Sequence, residues 1–219
     1  MLSLARNFSG IQLLIVGIAY VAVLVLSLSL HEFAHAFVAY KNGDSTAKFA
    51  NRVSINPLVH IDTLGFICCL LFGFGWAKPV PVNPNQFRNV KKGLFWTSIA
   101  GVLMNIIIAF IFCPLYLLCL KYLSAPISNF ELLLICFCEF AFVFNICLFV
   151  FNLIPVYPLD GFNILQACTK YSNKFVLFLR TYGSYILLVV LLIFQFTNLF
   201  NTIINWISYP MIKFWELII

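Results

Sequence analysis

The chain has 219 residues, of which 63% are hydrophobic and 9% charged, and its mean hydropathy is +1.02. Soluble globular domains use about 45 to 50% apolar residues, so this composition excludes a soluble protein and predicts a membrane protein with several spans. The net charge of +6 is not gathered into a continuous basic patch, which argues against nucleic acid as a partner.

The first apolar stretch covers residues 11–30 and runs on to about residue 40. A helix needs roughly 20 apolar residues to cross a bilayer core, so this stretch is long enough for one span. Arg6 is the one basic residue before it, and no small-residue cleavage site follows it. We therefore expect a retained span rather than a cleaved signal peptide.

The second stretch, residues 64–76, has only 13 residues and is too short for an upright span. Its end reads FGFGW, and glycine both weakens a helix and permits close approach of the backbone. We expect this stretch to form either a re-entrant hairpin or a short, tilted helix.

Three longer apolar stretches follow, at residues 94–120, 131–151 and 181–207. Residues 208–219, with Trp and Tyr among apolar residues, are typical of an interfacial amphipathic tail. The sequence therefore predicts an all-α polytopic membrane protein with about five transmembrane segments. The re-entrant or short hairpin element lies between the first and second full spans.

We expect these segments to form a single membrane-embedded domain over residues 1–219. Its core covers residues 11–165, and a C-terminal span with the interfacial tail covers residues 175–219. Because the apolar stretches leave only short loops, the chain has no room for a separate soluble domain.

The distribution of basic residues tests the path of the second stretch. If that stretch spans the membrane, the thirteen Lys and Arg residues divide seven against six. If it re-enters, residues 41–92 and 152–180 share one side, and the positive-inside rule makes that side cytoplasmic. Ten basic residues then lie there: Lys41, Lys48, Arg52, Lys78, Arg88, Lys91, Lys92, Lys170, Lys174 and Arg180.

The sequence HEFAH near the end of the first span carries three ionisable groups within five residues. On a helix, His31 and His35 share a face, so both imidazoles can point at one ion while Glu32 is offset toward a water bound there. This is the arrangement of zinc peptidases. Ionisable groups at membrane depth cost about 2.5 to 3.5 kcal/mol each and usually mark a functional site.

A catalytic zinc has three protein ligands and one position for water. The best-placed third ligand is Asp160 in NLIPVYPLDG, directly after the 131–151 stretch, where two prolines and a glycine break the helix. Non-helical backbone at membrane depth is tolerated where it is buried in protein or lines a cavity, so this segment is typical of a site. His60, in the polar sequence NPLVHID, is an alternative third ligand.

Asn105 lies inside the 94–120 stretch, with Gly101 one turn before it in SIAGVLMN. A glycine lets neighbouring helices approach closely. The buried amide then either donates to a substrate carbonyl or oxyanion, or forms a hydrogen bond between helices. The sequence leaves both alternatives open.

Together these motifs resemble the site-2 protease family of intramembrane zinc metalloproteases, and most closely its short prokaryotic branch without PDZ or CBS domains. The resemblance runs in the family's order through HEFAH, NRVSINPLVHID, FGWAKPVPVNPNQF, AGVLMN and NLIPVYPLDG. The chain departs from the family pattern at Thr63, Phe66 and Val102, none of which is a proposed ligand or base.

The resemblance implies that His31, His35 and Asp160 bind one Zn²⁺ ion. It also implies that Glu32 is the catalytic base and that Asn105 contacts the substrate or the oxyanion. The protein would lie in the cell membrane as a multi-pass protein, with its active site toward the cytoplasmic side.

The implied partners are the lipid bilayer and a transmembrane protein substrate, whose helix must unwind before its backbone can be attacked. We expect the 64–76 stretch and the following AKPVPVNP to offer an edge strand to the unwound substrate, so proline substitutions within residues 68–76 should slow cleavage. The sequence does not indicate an oligomeric state.

Two interpretations without protease activity compete with the zinc protease interpretation. In the first, His31, His35 and Asp160 hold a structural or transported ion in a metal-binding membrane protein or transporter. The Glu32 carboxylate beside the first ligand argues against it, because transport does not need that group. In the second, the chain is an inactive protease scaffold that binds membrane helices, and the intact ligands and base argue against it.

Overall fold

The computed structural model describes residues 10–72, 76–123, 128–169 and 173–219, and of residues 69–72 it describes the backbone alone. Within these ranges all regular structure is helical, apart from one antiparallel β-bridge between Ile61 and Ala77. The α-helices are α1 (Gly10–Lys41), α2 (Thr46–Phe49), α3 (Thr63–Phe72), α4 (Val90–Tyr122), α5 (Asn129–Asn152), α6 (Asp160–Cys168), α7 (Lys174–Phe196) and α8 (Leu199–Glu216). Single turns of 3-10 helix occur at Pro57–Val59 and Pro84–Gln86.

Four of these helices, α1, α4, α5 and α7, are long and apolar enough to cross a membrane. Side chains before three of them satisfy backbone N–H groups of the first turn: Asn89 before α4, Ser128 before α5 and Asn173 before α7. At α5, Glu131 completes a capping box with Ser128. The all-α polytopic fold is confirmed, and four long helices agree roughly with the expected five segments.

The stretch at residues 181–207 forms two helices rather than one span, because the helix is interrupted at Thr197 and Asn198. Thr197 has extended backbone angles, and its hydroxyl donates to a carbonyl in the last turn of α7. Such polar side chains compete with the helix for backbone hydrogen bonds. Residues 208–216 then continue α8, so the expected boundary between a span and a separate tail at residue 208 is wrong.

The residues just before and just after the second apolar stretch lie next to each other. Its helical part, α3, has ten residues and is about 15 Å long, which is too short to cross a bilayer. The backbone N–H of Lys78 donates to the carbonyl of His60 at 2.8 Å, and that of Arg88 to Asn42 at 3.0 Å. Residues 41–92 therefore start and finish at one end of the bundle. The depth to which α3 enters a membrane remains a prediction.

The edge strand expected from residues 64–76 is wrong for residues 64–72, which are helical. Residues 73–75 lie outside the described chain. Residues 76–83 are not helical, and Lys78 and Val80 each precede a proline, which favours extended backbone at these two positions. If an edge strand serves the substrate, it therefore lies in this later segment.

The helices α1, α4 and α5 form the core of the bundle, each packing against the other two. Through apolar side chains such as Ile204, α8 packs against α4 and α5, and Lys121 near the end of α4 donates to the carbonyl of Ile219 at 2.6 Å. By contrast, α7 packs chiefly against α6, through Val176 and Leu179. The second half of α7 therefore stands away from the core helices.

Hydrogen bonds and ring contacts between the core helices show that α4 runs antiparallel to α1 and α5. We call the end that contains residues 31–41 of α1 and 90–98 of α4 the site end. The opposite end contains residues 10–20 of α1 and 129–140 of α5. The chain from α5 to α6 also lies at the site end, and this topology brings distant segments of the sequence together there.

Candidate metal centre

His31 and His35 lie one turn apart in the last third of α1, and both side chains are buried. Their Nε2 atoms are 2.9 Å apart. Asp160, the first residue of α6, places Oδ2 at 3.3 Å from Nε2 of His31 and at 3.1 Å from Nε2 of His35. The structure thus brings together the three side chains that the sequence suggested as metal ligands.

Asp160 reaches this point because α5 ends at Asn152 and an irregular segment with two prolines turns the chain back into the bundle. Gly161 permits the tight turn, since a Cβ atom there would lie 2.4 Å from the carbonyl oxygen of Leu153. No larger residue fits without moving backbone. The sequence LDG therefore directs the carboxylate of Asp160 toward α1.

The Oδ2 atom of Asp160 is buried and makes no hydrogen bond with the described residues. Burial opposes ionisation, but positive charge on the imidazoles of His35 and His31 outweighs it and holds the pKa of the Asp160 carboxyl below its usual range. When the imidazoles are neutral, as metal binding requires, the bound cation would supply that positive charge instead. A buried, ionised oxygen without a hydrogen bond is costly unless a cation compensates it. Two imidazole nitrogens beside that oxygen supply the rest of a metal site.

This donor set fits a zinc ion. Zinc binds imidazole nitrogen and carboxylate oxygen at about 2.0 to 2.2 Å, and tetrahedral geometry then separates the ligand atoms by about 3.3 to 3.5 Å. The separations of 2.9, 3.1 and 3.3 Å need an adjustment of only a few tenths of an ångström at most positions. Three protein ligands also match the number found in catalytic zinc sites.

Both imidazoles are held from behind by α4. Nδ1 of His35 lies 2.7 Å from the carbonyl oxygen of Thr97, which can only accept, so Nδ1 carries the proton and Nε2 has a free lone pair. Nδ1 of His31 lies 3.0 Å from the side-chain amide of Asn105, whose Oδ1 has no partner among the described residues. Rotating this amide by 180° lets Oδ1 accept from Nδ1, which frees Nε2 of His31 for a metal.

Asn105 is fully buried and forms the hydrogen bond between helices that the sequence left open as one alternative. It lies behind His31, on the side of the ring away from Asp160. A contact between Asn105 and a substrate or oxyanion remains a prediction.

Gly101 brings α4 close enough to α1 for these bonds to form. A Cβ atom at this position would lie 2.3 Å from Nε2 of His35 and 2.7 Å from Cε1 of His31. These contacts are far shorter than van der Waals distance, and the rings themselves are fixed by Thr97 and Asn105. Gly101 therefore leaves the space that the two imidazoles occupy.

Glu32 lies beside the first ligand, where its Oε2 accepts a hydrogen bond from the backbone N–H of Val80 at 3.1 Å. The buried guanidinium of Arg52 donates to the carbonyls of Val59, Lys78 and Pro79. Burial lowers the pKa of Arg52, and the nearby Glu32 carboxylate raises it. Arg52 thus fixes the segment that supplies the hydrogen bond to Glu32.

An open cavity of about 980 Å³ leads to these side chains. His31, Glu32, His35 and Asp160 line part of its wall. The remaining wall comes mainly from apolar residues of α4, α5 and α7 and from the extended segment 76–83. An extended peptide can therefore approach the metal ligands and the Glu32 carboxylate from one space.

His60, the alternative third ligand, is not part of the cluster. It is buried in the loop before α3, where Nε2 lies 2.7 Å from the carbonyl oxygen of Ser54. The group that could hold a metal consists of His31, His35 and Asp160. Their roles as ligands, and that of Glu32 as base, remain predictions.

Sequence reasoning missed three contributors to the site. Thr97 and Val80 act through backbone groups, which every residue possesses, so their side chains give no signal. Arg52 lies within NRVSINPLVHID, and a basic residue in an otherwise weakly charged loop was a signal that could have found it. Two of its three partners, the backbone carbonyls of Lys78 and Pro79, are distant in the sequence.

The chain is similar to two known bacterial proteins over most of its length. It is 38% identical over 181 residues to "Putative zinc metalloprotease YwhC" of Bacillus subtilis (strain 168), which covers 76% of this chain and 83% of the relative. It is 26% identical over 183 residues to "Putative zinc metalloprotease Rip2" of Mycolicibacterium smegmatis (strain ATCC 700084 / mc(2)155), which covers 81% and 68%. No solved structure matches the chain at a significant level.

A match to one protein family covers most of the fold. The model of peptidase family M50 matches residues 19–194, a range that begins in α1 and ends in α7. This range contains the HEFAH motif, Asn105 and the LDG turn. On this match, the chain belongs to peptidase family M50, the site-2 protease family.

Proposed function

We propose that this protein is an intramembrane zinc endopeptidase that hydrolyses a peptide bond within or near a transmembrane segment of another membrane protein. The observation that carries the proposal is the convergence of three donor atoms, all within 3.3 Å of one another, beside a carboxylate on the wall of one cavity. The zinc metalloprotease names of the two relatives support it.

In this proposal, His31, His35 and Asp160 hold the zinc ion, which supplies the Lewis-acid chemistry of a metallopeptidase when bound. Glu32 is the general base: its carboxylate removes a proton from the attacking water and returns it to the leaving amine. Val80 orients that carboxylate through its backbone N–H. Thr97 and Asn105 orient the two imidazoles.

The cavity suggests how a substrate is presented. A transmembrane helix must unwind before its scissile carbonyl is free, because that carbonyl is hydrogen-bonded within the helix. The unwound part needs new backbone partners, and the extended residues 76–83 lie along the cavity wall. Pro79 and Pro81 have no N–H, and the carbonyl of Pro79 already accepts from Arg52, so pairing there would use the carbonyl of Pro81 to accept from the substrate.

We further propose that the protein is a multi-pass protein of the cell membrane and that its site end faces the cytoplasm. Basic residues support this orientation: those in residues 41–92 lie on segments that start and finish at the site end. Cleavage of a membrane-bound substrate from that side would release its cytoplasmic part, which is the outcome of regulated intramembrane proteolysis.

The test compares wild-type protein with Glu32→Gln in liposomes. Cleavage of a transmembrane test peptide and zinc content are both measured. Removal of the general base should lower the rate of cleavage by about 10² to 10⁴-fold, while zinc content stays unchanged. Glu131→Gln is the matched control, because Glu131 lies at the opposite end and its capping contact with Ser128 survives the change.

Full cleavage by Glu32→Gln would rule out Glu32 as the base. If wild type and variant both bind zinc normally but neither cleaves any transmembrane peptide, a metal-binding or transport function is the better explanation. Loss of zinc from Glu32→Gln would mean that this carboxylate helps to hold the metal.

A further inference from the structure

The carboxylates at the site end are all engaged. Asp44 is fully buried and accepts hydrogen bonds from the backbone N–H groups of Thr46 and Asn83. Asp62 accepts from the N–H of Gly65. The other two carboxylates described at this end, Glu32 and Asp160, belong to the candidate metal centre. Among the described residues, no carboxylate at the site end is left to neutralise the basic side chains there.

Two of those basic side chains line the cavity itself. Lys91 is in the first turn of α4, and Arg180 is in the second turn of α7. Both are exposed. Arg180 is held in place, because Nη2 donates to Oε1 of Gln166 at 2.8 Å and the guanidinium lies 5.8 Å from the ring centroid of Phe162. Neither cation has a carboxylate partner among the described residues.

The positive-inside rule accounts for basic residues at this end, but it does not account for which of them face the cavity. Lys91 and Lys92 are adjacent and both exposed, yet of the two only Lys91 lines the cavity wall. On α7, Lys174 is exposed and is not part of the wall, whereas Arg180 is. Lys91 and Arg180 line the same cavity from two different helices.

We propose that Lys91 and Arg180 select substrates with acidic side chains in the segment that flanks the cleaved transmembrane helix at the site end. This inference rests on the proposed protease function and names the substrate class. Most membrane proteins carry Lys and Arg on their cytoplasmic flanks, so an acidic flank distinguishes a substrate from the surrounding membrane proteins. Opposite charges favour encounter and fix register, and like charges repel the other proteins.

The experiment uses wild-type protein in vesicles of zwitterionic phosphatidylcholine. Three transmembrane test peptides share one core and carry two Asp, two Asn or two Lys residues in the flank. We expect kcat/KM to be highest for the Asp peptide and lowest for the Lys peptide. Each step should be about tenfold, mainly through KM, because the charges lie away from the reacting bond.

Variants that reverse the charges at positions 91 and 180 test whether these two side chains cause the preference. In the double variant Lys91→Glu and Arg180→Glu, the order of the three peptides should invert. Lys92→Glu and Lys174→Glu are the matched controls and should keep the wild-type order. The milder double variant Lys91→Gln and Arg180→Gln should remove the preference, and it serves if the Glu variant does not fold.

The outcomes separate this inference from the protease function. Equal cleavage of all three peptides by wild type overturns the charge selection and leaves the protease function standing. Binding of the same peptides to Glu32→Gln gives a second measurement that does not depend on cleavage, and equal affinities there also overturn the inference. If the double variants lose activity only in vesicles with anionic lipid, the two cations bind lipid headgroups and the inference is wrong.

Discussion

At the opposite end of the bundle, α1 and α5 meet through apolar side chains, whereas at the site end the elements meet through hydrogen bonds between buried polar groups. Val16, Ala19 and Cys136 form the contact at the opposite end, and Tyr20 packs edge-on against Phe140. At the site end, imidazole, amide and guanidinium groups each form a hydrogen bond with a specific atom on another segment. The helix α1 is thus held by different forces at its two ends.

The difference matters because apolar packing and hydrogen bonds respond differently to small displacements. An apolar contact changes gradually as side chains adjust, and its energy is spread over many atom pairs. A hydrogen bond weakens steeply when its angle or distance changes, and a catalytic site tolerates misplacement of less than about 1 Å. We therefore expect substitutions at the site end to impair zinc binding and cleavage before they impair folding.

Gly101→Ala should give the largest effect. The added Cβ atom would lie 2.3 Å from Nε2 of His35, so the ring must move out of the ligand position. Zinc content should fall, and cleavage should decrease by about 100-fold or more, while helix content is retained. Zinc analysis, circular dichroism and cleavage of a transmembrane test peptide measure the three quantities.

Gly17→Ala on α1 is the matched control, because a Cβ atom there meets nothing within 4 Å. It should leave zinc content and cleavage unchanged. Normal zinc content in Gly101→Ala would show that α1 and α4 can separate at the site end without cost, which would remove the proposed contrast between the two ends.

Arg52→Lys should give an intermediate effect. The guanidinium donates to three carbonyls on two segments, and the single ammonium of lysine cannot reproduce this fork. The segment that contains Val80 should loosen and leave Glu32 less well oriented, so we expect kcat to fall by about 10- to 100-fold with normal zinc content. Arg88→Lys, at an exposed position, is the control.

A rise in KM alone, or a loss of zinc equal to that of Gly101→Ala, would contradict a role of Arg52 in holding the Val80 segment. The first result would place Arg52 in substrate binding. The second would place it in the support of the metal ligands.

Much of the site could be predicted because it depends on side-chain types with fixed spacing. The HEFAH sequence sets His31 and His35 on one helix face, and the prolines and glycine of NLIPVYPLDG predict a break in the helix just before Asp160. The break at Thr197 was missed, since hydropathy averaged over a window hides a single polar interruption. Composition and charge sufficed for an all-helical membrane fold.

What could not be predicted involves backbone groups and the distances between helices. The carbonyl of Thr97 and the N–H of Val80 are available at nearly every residue, and only the folded chain selects them. The Lys and Arg residues could be counted in the sequence, but only the structure shows that Lys91 lines the cavity and Lys92 does not. Tertiary packing supplies this information.

The smallest effect is expected from substitutions between the two ends of the bundle. Asn145 on α5 donates to Oγ of Ser27 on α1 at 2.8 Å, and both side chains are fully buried. Ser27 lies one turn before His31, on the side toward the opposite end. Among the described residues, this bond is therefore a polar contact between α1 and α5 close to the metal ligands. A double-mutant cycle with Ser27→Ala and Asn145→Ala should give a coupling free energy of about 0.6 kcal/mol, as is typical of hydrogen bonds between membrane helices.

Cleavage by these variants should stay within about threefold of wild type, because apolar packing at the opposite end keeps α1 and α5 aligned. Unfolding in detergent measures the coupling, and zinc affinity shows whether the metal ligands have moved. A large loss of zinc affinity in Asn145→Ala would mean that this bond sets the register of α1 for His31. The site end would then extend further into the bundle, and the apolar contacts would not be enough to align the ligands.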